Sequence, residues 1–83
     1  MRVEELKQKT RTIVSDVLPN VEQSEIDDNI DIFNLGLDSI NVMSLISNLQ
    51  EAFDFTLETH ELNFENFQTV STIVDMVQKK KNL

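Results

Sequence analysis

Cysteine is missing from the chain altogether. That excludes a disulfide framework and a thiolate zinc site, so any thiol the protein works with must be added to it. Glycine occurs once, as Gly36, which excludes phosphate-cradling loops built from several glycines. Histidine also occurs once, as His60, too few for a histidine metal cluster, and no metal site is expected. No apolar run approaches the length of a membrane span, and the N-terminal stretch MRVEELKQKT has no signal-peptide core. A soluble, cytoplasmic protein is expected.

Positive charge is missing from the whole middle of the chain. Every Lys and Arg lies in residues 2 to 11 or 79 to 81, while thirteen Asp or Glu fall between Thr12 and Gln78. The net charge of −8 repels nucleic acid and anionic membrane and draws in basic surfaces on protein partners. The same acidity also serves to keep a small domain soluble.

What is present is enough for one modest core. With 83 residues, of which 40% are hydrophobic, a single domain over residues 1–83 is expected, as a monomer. Val3, Leu6, Thr10, Ile13, Val14, Val17 and Leu18 make one face of a helix over about residues 3 to 18, which Pro19-Asn20 ends. Residues 19 to 38 have no sustained period, yet Ile26, Ile30, Ile32, Phe33, Leu35 and Leu37 should pin this long loop onto the core. Val42, Leu45, Ile46, Leu49 and Phe53 define the buried face of a second helix over Ser39 to Phe53. Ile40 and Met43 lie off that face, free either to meet partners or to pack beneath the loop.

After a strand-like or turn-like stretch with Leu57 inward, a short helix is expected over His60 to Glu65, capped by Thr59. Thr69 is a suitable cap for a last helix with Val70, Ile73, Val74 and Val77 inside, and Lys79, Lys80 and Lys81 suit its C-terminal dipole. The expected fold is all-α: a small four-helix bundle of three longer helices and one short third helix, with a long loop between the first two.

Catalytic readings fail on their own requirements. Serine hydrolysis needs a base and an orienting acid beside the nucleophile, and GLDSI is not the G-x-S-x-G elbow. His60 is expected to be exposed rather than paired with Ser39. Asp27, Asn29 and Asp31 begin like a calcium loop, but Ile32 and Asp38 stand where that loop needs Gly and Glu. The chain is not expected to be an enzyme. What is left is Ser39, in the first turn of a helix opened by the Gly36 turn and capped by Asp38, where a phosphate ester is electrostatically welcome. A serine there is also an ordinary way to start a helix.

The stretch LGLDSI closely resembles the LG-x-DS-(L/I) signature of the carrier-protein family, the acyl carrier proteins and their peptidyl and aminoacyl relatives. The expected order of helices resembles that family along nearly the whole chain. The resemblance implies that Ser39 bears a 4′-phosphopantetheine arm whose thiol carries a thioester-bound cargo, with Asp38 as its motif partner. It implies as partners a phosphopantetheinyl transferase, a loading ligase or acyltransferase, and downstream synthase or tailoring enzymes. Ile40, Met43, Ser44 and Ser47 then become the contact face for those partners.

The sequence departs from the fatty-acid-synthesis carriers after the serine. Asn41, Ser44 and Gln50 stand where those carriers commonly have acids, and Glu51 is the only charge between Ser39 and Phe53. The stretch LNFENFQTVSTI is more similar to free-standing carriers of specialised pathways, of polyketide or nonribosomal-peptide type. The alternative is a helical interaction domain of carrier-like shape without the arm.

Overall fold

In a computed structural model, which describes residues 2–81, three α-helices pack around one core. They are α1 (Val3–Val17), α2 (Ser39–Phe53) and α3 (Val70–Lys81). Helix α1 buries Leu6, Thr10, Ile13, Val14 and Val17, with Leu18 completing the row. Thr10 sits in this apolar row without penalty because its hydroxyl donates to the Leu6 carbonyl oxygen at 2.7 Å. Helix α3 buries Val70, Ile73, Val74 and Val77 as its periodicity requires, and Met76 as well. The Thr69 hydroxyl accepts the Thr72 N–H at 3.1 Å, which is the expected cap.

The long connection between α1 and α2 is less irregular than its sequence. It holds two 3-10 turns, Gln23–Glu25 and Ile32–Leu35, and plants Ile26, Ile32 and Leu37 in the core. Two backbone bonds fasten it to the far side of the bundle: Ile32 N–H to the Gln68 carbonyl at 2.8 Å, and Ser71 N–H to the Asp28 carbonyl at 3.0 Å. The calcium-like residues serve this turn geometry. Asp27 accepts the Asn29 N–H, and Asp31 accepts the Phe33 N–H, each at 2.9 Å.

The short third helix is corrected by the structure. The stretch from 59 to 67 makes two separate 3-10 turns, Thr59–Glu61 and Glu65–Phe67, and the capping residue of the first is Glu58 rather than Thr59. Asparagine side chains explain the break. Asn63 Oδ1 accepts the Asn66 N–H at 2.9 Å, and Asn66 Nδ2 donates to the Glu61 carbonyl at 2.8 Å. These bonds occupy groups that a continuous helix would pair along its own ladder. The strand-like residues before it pair with no strand among the described residues; Leu57 points inward as expected, its N–H held by Gln50 Oε1 at 2.8 Å.

The basic ends are folded back onto the acidic middle. Lys7 and Arg11 of α1 both pair with Asp28, and Lys80 of α3 pairs with Glu61 at 2.9 Å. Lys9 donates to the Ala52 carbonyl at 3.0 Å and lies over the Phe53 ring, while Lys81 donates to the Asp54 carbonyl at 3.2 Å. Two lysines from different helices thus meet the negative end of α2, where cations are favoured.

Candidate functional site

The start of α2 is set by three consecutive devices. The 3-10 turn Ile32–Leu35 ends at Gly36, whose φ of 110° is a left-handed conformation that side chains disfavour. A Cβ at Gly36 would meet nothing within 4 Å, so the backbone conformation alone requires glycine here. Leu37 then anchors the chain in the core, and Asp38 begins the helix. One oxygen, Asp38 Oδ1, accepts the N–H groups of both Ile40 and Asn41, at 2.9 and 2.8 Å. Ser39 is thereby fixed as the first helical residue, exposed at the positive end of a 15-residue helix.

Beside Ser39 runs an apolar groove of about 430 Å³. One wall is α2, through Ser39, Val42, Met43 and Ile46; Leu62, Asn63, Phe64 and Phe67 of the connection to α3 line the other, with Phe33 from the first loop. Phe33 and Phe64 meet ring to ring, with centroids 4.6 Å apart and planes 31° from parallel. Periodicity assigned Val42 and Ile46 to the core, but they are only half-buried because this groove opens over them.

A model of the family described as "Phosphopantetheine attachment site" matches residues 8–77. The chain belongs to the carrier-protein family. It is similar to an acyl carrier protein of Prochlorococcus marinus, 37% identical over 98% of this chain and 99% of that protein. A D-alanyl carrier protein of Lactococcus lactis is 35% identical over 83% of this chain and 89% of its own. Among solved structures, similarity extends to a carrier protein from Agrobacterium tumefaciens, crystallised with an engineered Bradyrhizobium japonicum glycine:carrier protein ligase and AMP. That likeness has a TM-score of 0.80 at 26% identity and covers 87% of this chain and 97% of the other.

The protein is therefore a non-catalytic, phosphopantetheine-bearing carrier. Its residues fit that group: Ser39 is exposed at the positive end of α2 and adjoins an apolar groove. The residues expected to meet partners, Ile40, Met43, Ser44 and Ser47, are all exposed on one side of α2, which borders a different hollow at each edge. Met43 lines the groove with Ser39, whereas Ser44 and Ser47 line a polar hollow toward α1 with Asp16, Asn41 and Asn48. Ile40 and Met43 are 77% and 64% exposed, so neither packs beneath the loop. The groove residues that sequence reasoning missed are Phe33, Leu62 and Phe64. The only advance signal was an apolar side chain outside any helical period, which is weak.

His60 is exposed, as expected, and does not line the Ser39 groove. Its imidazole comes within 4.8 Å of Glu58 and Glu61 carboxylate oxygens, but Glu61 Oε1 is already held by Lys80 and by the Glu58 N–H. No helix among the described residues is long and apolar enough to cross a membrane.

Proposed function

We propose that Ser39 is the residue that carries the phosphopantetheine, and that the protein presents an acyl or aminoacyl thioester to the enzymes of a biosynthetic pathway. The observation that carries this reading is Ser39 itself, the exposed first residue of α2 behind the Asp38 cap, in the LGLDSI motif inside the matched span. When bound, the arm supplies the thiol that this cysteine-free chain lacks. The chain's own part is to hold Ser39 outward at one fixed place. Asp38 already takes the N–H groups of Ile40 and Asn41, so the ester phosphate is favoured there by the helix dipole rather than by a nest of free N–H groups.

Attachment needs a phosphopantetheinyl transferase with coenzyme A as donor. The Ser39 Oγ–H bond breaks, an Oγ–P bond forms, and the nucleotide part of coenzyme A leaves. Loading is assigned to an adenylate-forming ligase rather than an acyltransferase; the ligase and AMP in the crystal with the Agrobacterium carrier support that preference. An aminoacyl or similarly small cargo agrees with the D-alanyl relative, while the Prochlorococcus relative supports an acyl one. The near absence of acids on α2 favours a specialised pathway over housekeeping fatty acid synthesis, because a basic docking patch finds only Glu51 there. Its setting on this reading is the cytoplasm, as a monomer.

Intact-mass spectrometry tests the attachment. Incubation with coenzyme A and a broad-specificity transferase should add one phosphopantetheine to the wild type and none to Ser39→Ala. An unmodified wild type would leave the arm-free interaction domain as the better reading.

A further inference from the structure

Among the described residues, three metal-ligating side chains converge on the 3-10 turn Thr59–Glu61, at the start of the connection to α3. One histidine is too few for a histidine cluster but enough for a mixed site. A nitrogen of His60 and one carboxylate oxygen each from Glu58 and Glu61 lie within 4.8 Å of one another. The turn itself brings them together. Glu58 and Glu61 form a capping box, in which each carboxylate accepts the backbone N–H of the other residue. Both acids are therefore folded over the same turn, with His60 between them.

The three ligands differ in how firmly they are held. Glu61 is the fixed one, with its side chain only 17% exposed. Its Oε1 accepts the Glu58 N–H and the Lys80 ammonium, each at 2.9 Å. Both bonds fall on Oε1, which leaves Oε2 for a metal and orients it, as outer partners orient the ligands of metal sites. Glu58 and His60 are exposed and can rotate to close on an ion. They have little distance to cover. His60 Nδ1 stands 3.7 Å from Glu58 Oε2. Neighbouring ligands of a tetrahedral zinc, with bonds near 2.0–2.1 Å, are about 3.4 Å apart.

We propose that Glu58, His60 and Glu61 form a three-ligand surface site for a first-row divalent metal ion such as zinc, with water completing the coordination. Two carboxylates balance the charge of the ion, and the imidazole selects against calcium and magnesium, which take oxygen ligands. The ion acts locally. The turn it closes runs directly into Leu62, which lines the groove beside Ser39, so one end of that wall is tied down. Lys80 opposes binding, because its ammonium already sits on Glu61 and repels a second cation.

The test titrates the 83-residue chain without the arm, which has no thiol to compete for metal and makes the result independent of Ser39. Zinc chloride is added in a calorimeter, and the His60 ring nitrogens are followed by NMR. Wild type should bind one zinc per chain, with the imidazole signals shifting in step. His60→Ala and Glu58→Gln should each bind about tenfold more weakly or worse, with helical content by circular dichroism unchanged because both side chains are exposed. Lys80→Met should bind severalfold more tightly, and an equal concentration of calcium should not displace the zinc. Undiminished binding in His60→Ala, or a wild type that does not saturate below about 1 mM zinc, overturns the site. A Lys80→Met protein with no gain in affinity overturns the place of Glu61 in it. Direct binding decides, since ligands so close in sequence leave the unfolded chain part of its affinity and blunt any rise in thermal midpoint.

Discussion

Asp38 Oδ1 lies 2.8 Å from the backbone nitrogen of Asn41 and accepts the Ile40 N–H as well, so one carboxylate oxygen closes the first turn of α2. The residue that presents Ser39 is therefore also the one that holds its helix together. Asp38→Ala should cost about 1 kcal/mol of stability, the usual loss for an N-cap, measured by urea denaturation. Asp38→Asn keeps an acceptor in place and should recover most of that loss. Both variants should retain the fold, because Asp38 is exposed and the core beneath it is untouched. An Asp38→Ala protein as stable as wild type would show that the cap is not needed.

Gly36 gives a prediction that separates space from backbone. A methyl group there has open room, so Gly36→Ala should cost only the left-handed conformation, about 1–2 kcal/mol. Gly36→Asn should cost less, since asparagine tolerates that region. If both variants are equally destabilised, the turn has another requirement than its positive φ.

Much of this site was legible because its signals are local. The limits of α2 follow from the Asp38 cap and a regular apolar face, and Thr69 marks the start of α3 in the same way. The stretch from His60 to Glu65 was misjudged as one short helix because Asn63 and Asn66 look neutral in sequence; only their side-chain bonds to the backbone show that they divide it. The groove was illegible for a different reason. Val42 and Ile46 have core spacing, and whether that face is covered depends on Phe33 and Phe64, which no short-range pattern brings together.

The exposed side of α2 borders the groove at Met43 and the polar hollow at Ser47, so its two edges can be tested separately. Met43→Glu places a charge in the groove beside Ser39 and should lower the rate at which a partner enzyme transfers cargo, by about tenfold if Met43 is a central contact. Helical content should be unchanged, since Met43 is already exposed. Ser47→Ala, on the polar hollow facing α1, tests whether that side is read too. Transfer that is undiminished in Met43→Glu would remove the groove face from the docking surface.

Acid should loosen the protein at two identifiable joints. At Asp28, the hydrogen bond from Lys7 is the main cause that holds the carboxyl below its ordinary value of 3.8, with the charges of Arg11 and Lys7 assisting against partial burial. The Glu58 N–H, and then Lys80, hold Glu61 below its ordinary value of 4.5. Both groups bind fewer protons folded than unfolded, so their contribution is present above those values and is lost as pH falls through the depressed ones. Urea midpoints should therefore decline as pH drops below about 4.5, and added salt should reduce the effect at these partly exposed pairs. Asp28→Asn removes the titrating group where α1, the first loop and α3 meet. It should be less stable than wild type at neutral pH, with the difference shrinking as pH falls below the ordinary value of 3.8 and the wild-type carboxylate takes up its proton. A difference that stays constant across that range would show that the Lys7–Asp28–Arg11 cluster contributes through packing rather than charge.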